Sequence, residues 1–403
     1  MFLQKSGITA KPAFTSVLLV VNSFVWYFYA AKILEISVRR VQPDLTANVL
    51  IWGVHFAGMT LSAIAGASLT NKVRRRTNLV LWMMLGVASS LTPMFLNIAD
   101  FQGVLIFSFL IGVSLGFGMP NCMGYFTTCT DVKNRGRLGG ITMLASGAGL
   151  FFLGITPIES LIHQAFILAV WRGLGLAVLL WTKQAETINK KKKNPSFSSI
   201  FEHRSFILYL IPWIMFSLVN YLSRPVQYQV LGDSFNFLET IGNGIMAVFA
   251  VVGGFLSDSI GRKRMAITGF IMLGVCYAVL GISSEILITW YFYTLFNGIA
   301  WGFLFVVFVV VVWGDLSYGA PSDKYYAVGV LPFFISKFLQ FAIGDSIVAV
   351  IPAYAIFSFV ALFLFLAVLP LMYAPETLPE KTIKERELKK YIEKAKKAKE
   401  KYA

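Results

Sequence analysis

Lys32 and Arg224 interrupt long apolar stretches at matching places: an offset of 192 lays Tyr29 on Tyr221 and Lys32 on Arg224. A basic side chain within such a stretch costs about 2.5–3.5 kcal/mol to insert into a bilayer, so something anionic should meet it. Two converging cations suit a solute carboxylate or phosphate. The opposing reading is that both snorkel to the bilayer edge or pair with Glu35 and Asp233. Neutral polar and aromatic side chains accompany them. Asn22, Trp26 and Tyr29 precede Lys32, and Tyr221 and Tyr228 flank Arg224. Asn220, Arg224 and Gln227 recur at i, i+4 and i+7 on one helical face beside Pro225, where a kink is expected. Two further runs carry Ser114, Asn121, Tyr125 and Thr128, and Trp290, Tyr293, Asn297 and Trp301. Each could hydrogen-bond or stack on a solute, and each is also a type that packs inside a bundle. Glu35, Glu239, Asp345 and Lys337 are candidates for coupling a proton or counter-anion to solute movement. With Glu159 and Arg172 they read first as structural ion pairs.

Enzyme signals fail in context. Gly112-Val-Ser114-Leu-Gly116 fits a nucleophile-elbow pattern but lies inside an apolar helix, where small residues serve helix packing. His55 shares a stripe with Gly58, Ser62 and Gly66 and reads as part of a packing face. No HExxH or phosphate-cradling loop is present, and Cys122, Cys129 and Cys276 lack metal or disulfide spacing. No catalytic activity, cofactor or metal is expected.

The elements that must position these residues are membrane spans. Hydrophobic residues make up 57% of the 403 positions and charged residues only 14%, against about 25% charged in a soluble domain. The net charge of +15 sits in short clusters between apolar runs, the pattern of loops that orient helices, and not on a nucleic-acid-binding face. Twelve runs approach the roughly 20 residues needed to cross the hydrocarbon core. They are 13–38, 46–69, 78–99, 103–129, 138–158, 161–181, 205–231, 237–257, 265–283, 286–314, 325–349 and 353–373. The first is too long for a signal peptide and reads as a retained helix. Of 35 Lys and Arg residues, 29 fall on one set of alternate loops and termini, which predicts both termini in the cytoplasm. The expected division is a six-helix bundle over 1–181, a basic linker over 182–204, a second bundle over 205–373 and a Lys/Glu-rich tail over 374–403. In the tail, Glu385 and Lys389, like Glu393 and Lys397, have the i,i+4 spacing of a helix that could contact anionic lipid.

The chain also repeats itself. Gly66 to Arg76 overlays Gly254 to Arg264 without gaps at a separation of 188, each copy ending an apolar run at a basic turn. In the second copy, Gly254 permits close helix approach, Gly261 permits a tight turn, and Asp258 can accept from Arg262 or from N–H groups opening a neighbouring helix. In the first copy Thr70 replaces the acid and Val73 the second glycine, so its contact should be weaker or made differently.

Gly254-Phe-Leu-Ser-Asp258-Ser-Ile-Gly261-Arg262-Lys263-Arg264 resembles the loop between spans 8 and 9 of the major facilitator superfamily. Asp131 to Gly140 is similar to that family's 4–5 loop, and Pro375-Glu376-Thr377 to the ending common in its sugar porters. The resemblance implies an all-α integral membrane protein of twelve transmembrane helices in two pseudo-symmetric six-helix bundles, with a cavity walled chiefly by spans 1, 4, 7 and 10. It implies a conformational latch of Gly254, Asp258, Gly261, Arg262 and Arg264 against span 5 near Arg137. It implies a secondary transporter working by alternating access, and the paired cations favour an organic anion over a sugar. A transporter-like receptor or lipid-handling protein is the alternative of another class. The expected partners are a small-molecule solute, a coupling proton or counter-anion and membrane lipids. A monomer in the plasma membrane is expected.

Overall fold

In the computed structural model, residues 10–70, 72–155, 160–182, 194–348 and 351–379 are described. Among them twelve helical stretches are long and apolar enough to cross a membrane. The first six are α1 (Ala10–Val41), α2 (Leu45–Ser68), α3 (Arg75–Phe95), α4 (Phe101–Cys129), α5 (Arg135–Ile155) and α6 (Leu161–Trp181). After a short helix α7 (Phe197–Glu202) come α8 (Arg204–Leu231), α9 (Ser234–Ile260), α10 (Arg262–Ser283) and α11 (Leu287–Phe305). A π-helical turn (Val306–Val311) joins α11 to α12 (Val312–Asp315), and α13 (Asp323–Val348), α14 (Ala353–Leu366) and α15 (Val368–Tyr373) are the last helices among the described residues.

Local chemistry sets the ends. The Asp44 carboxylate accepts from Ala47 N–H at 2.8 Å to open α2, and Asp100 accepts from Gly103 N–H at 2.7 Å to open α4. Pro370 has no N–H for the carbonyl of Leu366, and the last span accordingly breaks between α14 and α15. The expected kink at Pro225 does not divide α8, which continues through it. The π turn splits a span that reads as one apolar run in sequence, and α7 lies within the stretch read there as a plain linker.

Packing repeats with a shift of six spans. In the first half α2 packs on α4, α1 on α5 and α6, and α3 on α4 and α6. In the second α9 packs on α11, α8 on α13 and α14, and α10 on α11 and α14. The main contacts between halves, α5 with α9 and α2 with α13, exchange under the same shift, which is the signature of a pseudo-twofold axis. Glycines allow the closest approaches: a Cβ at Gly66, Gly112 or Gly116 would stand 1.9–2.3 Å from the backbone oxygen of Phe117, His55 or Met59. The Gly112/Gly116 pattern is thus the α2–α4 packing face. The His55 ring lies in the same layer, buried between the Tyr27 hydroxyl (3.2 Å) and the Ser108 carbonyl (2.8 Å). Large apolar side chains such as Leu61, Phe151, Phe152, Leu174 and Ile288 are exposed around the flanks, as a surface solvated by lipid requires.

Candidate functional site

At the end of the bundle carrying the loops after α2, α4 and α9, hereafter the basic end, the halves are joined by ionic contacts. Asp258, fully buried near the end of α9, accepts from Gly136 N–H and Arg137 N–H, both at 2.9 Å. These are free donors of the first turn of α5, so a carboxylate of one half caps a helix of the other. The approach is possible because a Cβ at Gly254 would lie 2.3 Å from the Gly136 carbonyl. Arg262, also fully buried, pairs with Asp258 at 3.0 Å and with Asp315 at 3.1 Å, and donates to the Val132 carbonyl of the other half at 2.5 Å. Asp315, at the end of α12, receives Arg135 as well. Arg135 of the first half thus finds its buried carboxylate across the seam, on an Asp315 that Arg262 of its own half also holds.

Gly261 has φ +111°, and a Cβ there would stand 2.2 Å from a Glu376 oxygen. Glu376 accepts from Arg262 N–H (2.8 Å) and Lys263 N–H (3.1 Å), so it caps α10 from a distance of more than a hundred residues. Thr377 donates to Asp315 at 3.3 Å and the Tyr209 hydroxyl to the Pro375 carbonyl at 2.9 Å. The Pro-Glu-Thr segment is therefore fastened to the seam. The first copy of the repeat is built differently: Arg75, opening α3, pairs at 2.9 Å with Asp323, the first residue of α13, while Thr70 donates to Asn121 at 3.1 Å.

Of the expected latch, Gly254, Asp258, Gly261 and Arg262 converge. Arg137 contributes mainly its N–H, its side chain reaching Asp258 only at 3.7 Å and lying over the Phe255 ring. Arg264 is exposed and makes none of these contacts, because it follows Arg262 by two residues and leaves the helix on the opposite side. Arg75, Arg135, Asp315, Asp323 and Glu376 were not singled out as site residues by sequence. The available signal was rarity: few acids lie at an end of the molecule dominated by Lys and Arg.

The solute-site candidates disperse. Asn22 donates to the Trp171 carbonyl at 2.6 Å and accepts from Arg172 at 3.1 Å, and Trp26 donates to Ser90 at 2.7 Å. Both belong to the packing of α1 on α6 and α3. Arg172 is held there between the Trp26 and Trp82 rings, 4.8 and 4.3 Å from their centres, by amide, hydroxyl and aromatic groups; the expected ion pair is not what binds it among the described residues. Glu159 lies outside them. Asn121 donates to the Gly66 carbonyl at 2.9 Å, and Tyr29 and Tyr125 are buried. Gln227 donates to Ser223, Tyr277 and Tyr293 at 3.0–3.1 Å in a closed network inside the second half. The side chains of Asn220 and Asp345 lie outside the described residues.

Toward the far end, Lys32 is exposed and Arg224 pairs with Glu239 of α9. Arg224 therefore has a protein carboxylate, and that partner is neither Glu35 nor Asp233. Glu35 pairs with Arg39 at 2.8 Å, one turn along α1. Tyr221 packs edge-on against Trp301 and Phe333, with Lys337 of α13 4.2 Å above its ring. Trp301 and Asn297 are only partly buried, and Asn297 Oδ1 has no hydrogen-bond partner among the described residues. Tyr221 of α8 thus meets Trp301 of α11 and Lys337 of α13, with Asn297 one turn from Trp301 along α11.

The sequence profile of the Major Facilitator Superfamily matches residues 14–312. Comparison with curated protein sequences gives no match. Among solved structures, the proton:xylose symporter XylE bound to 6-bromo-6-deoxy-D-glucose superposes with a TM-score of 0.73 at 16% identity, over 91% of this chain and 96% of that one. The E. coli fucose:proton symporter FucP superposes with a TM-score of 0.68 at 11% identity, over 89% and 98%. FucP in its outward conformation gives 0.66 at 12%. At these identities the likeness is one of fold.

Proposed function

Since the chain belongs to the major facilitator superfamily, we propose that it is a secondary active transporter moving a small hydrophilic solute across a cell membrane by alternating access. The observation that carries the mechanism is the seam at the basic end. The bonds that cross between the halves, from Asp258 to α5, from Asp315 to Arg135 and from Arg262 to the Val132 carbonyl, must break if the halves rock apart. Breaking them exposes the same charged groups to water, which offsets much of the lost pairing and keeps both states within reach. In this reading Asp258, Arg262, Gly254 and Gly261 latch the state closed at the basic end, which is the cytoplasmic end if both termini are inside. The bundles 1–181 and 205–373 move as the two bodies, and the solute sits between them among Tyr221, Asn297 and Trp301.

An organic anion is the first reading of the solute, because the Lys337 ammonium has no carboxylate within salt-bridge distance among the described residues. A sugar is the second. It is favoured by the partly buried Trp301 and Asn297, an aromatic face and an amide suited to a polyol, and by the likeness in fold to the sugar:proton symporters XylE and FucP. Counterflow of labelled lactate, succinate, phosphate and xylose in proteoliposomes tests the proposal. Exchange of one of them, abolished by locking the seam, is expected. Binding without exchange would leave a receptor of transporter shape.

A further inference from the structure

Lys337 lies within α13, and its ammonium has no carboxylate within salt-bridge distance among the described residues. Its contacts are the Gln340 side-chain oxygen at 3.1 Å, the Tyr221 ring at 4.2 Å and the Phe341 ring at 5.6 Å. The charged groups whose fields reach it come from three other helices: Glu35 of α1, Arg224 of α8 and Glu239 of α9. Both acids are already engaged, Glu35 by Arg39 and Glu239 by Arg224. Three cations therefore share two carboxylates, and Lys337 is the one left over. Side-chain exposures of 37% for Arg224 and 30% for Glu239 show open space beside the pair. A cation in an apolar surrounding is held by aromatic faces and one amide oxygen only incompletely, so an anion arriving there meets an unsatisfied charge.

One turn further along α13, Phe341 stacks on Trp52 of α2 at 4.2 Å, and Asn48 donates to its carbonyl at 2.9 Å. Phe338 meets Phe56 edge-on. Lys337 is thus adjacent to the contact through which α13 of one half meets α2 of the other. We propose that Lys337, with Gln340 and the field of Arg224, binds a small carboxylate or phosphate anion next to the α2–α13 contact, so that occupancy there bears on how the halves meet at the far end. This rests on the transport reading and names its solute or counter-ion class. It also replaces the Lys32/Arg224 clamp with a different residue.

The test is thermal stabilisation of the purified full-length protein by sodium lactate, succinate, inorganic phosphate or D-xylose. Wild type, Lys337→Gln, Lys337→Arg, Gln340→Leu and Lys32→Gln are compared. At least one of the three anions should stabilise wild type and Lys32→Gln. Its apparent affinity should fall tenfold or more in Lys337→Gln, fall severalfold in Gln340→Leu and largely survive in Lys337→Arg. Absence of stabilisation by all three anions, or an affinity unchanged in Lys337→Gln, overturns the proposal. If Lys337→Gln does not fold, an unchanged affinity in Gln340→Leu does so instead. Counterflow separates this inference from the broader reading. Xylose exchange without anion binding keeps the transporter and removes the site; Lys337-dependent anion binding without exchange keeps the site and removes the transporter.

Discussion

Asp258 gathers three donors that no other residue could serve together, two N–H groups of α5 and the Arg262 guanidinium. Hydrogen bonds to a charged group contribute about 1.5–3 kcal/mol each, but only the two to α5 cross between halves. In Asp258→Asn one acceptor oxygen and the charge are lost, while Arg262 keeps Asp315. The equilibrium should shift toward the state open at the basic end by roughly tenfold or more, since about 1.4 kcal/mol is a factor of ten. Thiol labelling of cysteines introduced beside the seam should speed up, with melting temperature nearly unchanged; unaltered labelling and wild-type exchange would show that Asp258 is no latch. The Arg224–Glu239 pair invites a different comparison. It is partly exposed, so each single replacement by Gln should lower ligand-free stability only modestly, by about 1 kcal/mol or less. Because the loss is that of a partner, Glu239→Gln should partly rescue Arg224→Gln, whereas Glu35→Gln and Asp233→Asn should not. Rescue by either of the latter would mean that the pairing rearranges.

Among the helices, glycines fall into two groups by what they touch. Those of the α2–α4 face work within one half: at Gly116 a new Cβ would meet the Met59 carbonyl at 2.1 Å and the Ser62 hydroxyl at 2.2 Å. Backbone at that distance cannot step aside alone, so Gly116→Ala should destabilise the fold by about 1–3 kcal/mol. Gly254 instead faces Gly136 across the seam. Gly254→Ala can be relieved by parting the halves, so it should leave melting nearly unchanged and favour the state open at the basic end, read by the same thiol labelling. Gly154 has nothing within 4 Å of a new Cβ, and Gly154→Ala is the neutral control. Equal melting losses at Gly116 and Gly254 would contradict this division.

For the molecule as a whole, the last span is followed by a short segment fastened to the bundle. Residues 374–379 are tied to the seam by Pro375, Glu376 and Thr377, while residues beyond 379 lie outside those described. Deleting 380–403, a Lys/Glu-rich tail by composition, should leave folding and exchange intact, whereas deleting 375–403 should strip the cap from α10 and weaken the seam. Exchange rate and seam labelling in the two truncations distinguish them. Loss of the folded bundle on deleting 380–403 would mean that the tail belongs to the core.

The sequence alone determined the spans, their number and the duplicated plan, because each follows from local quantities: the length of an apolar run, the side on which Lys and Arg collect, a motif recurring at a fixed separation. It singled out Asp258 and its glycines as candidates in the same way, through a motif repeated at the end of an apolar run. Partnership was decided by the tertiary structure. Asn22, Trp26, Asn121 and Gln227 looked like solute ligands by type and helical face, and the fold engages them inside their own halves. Arg224 finds Glu239 and Arg75 finds Asp323, while Lys337 has no acid within salt-bridge distance among the described residues. A helical period says which residues share a face and cannot say which helix that face will meet; pairing of charges depends on distances between elements, which only packing fixes.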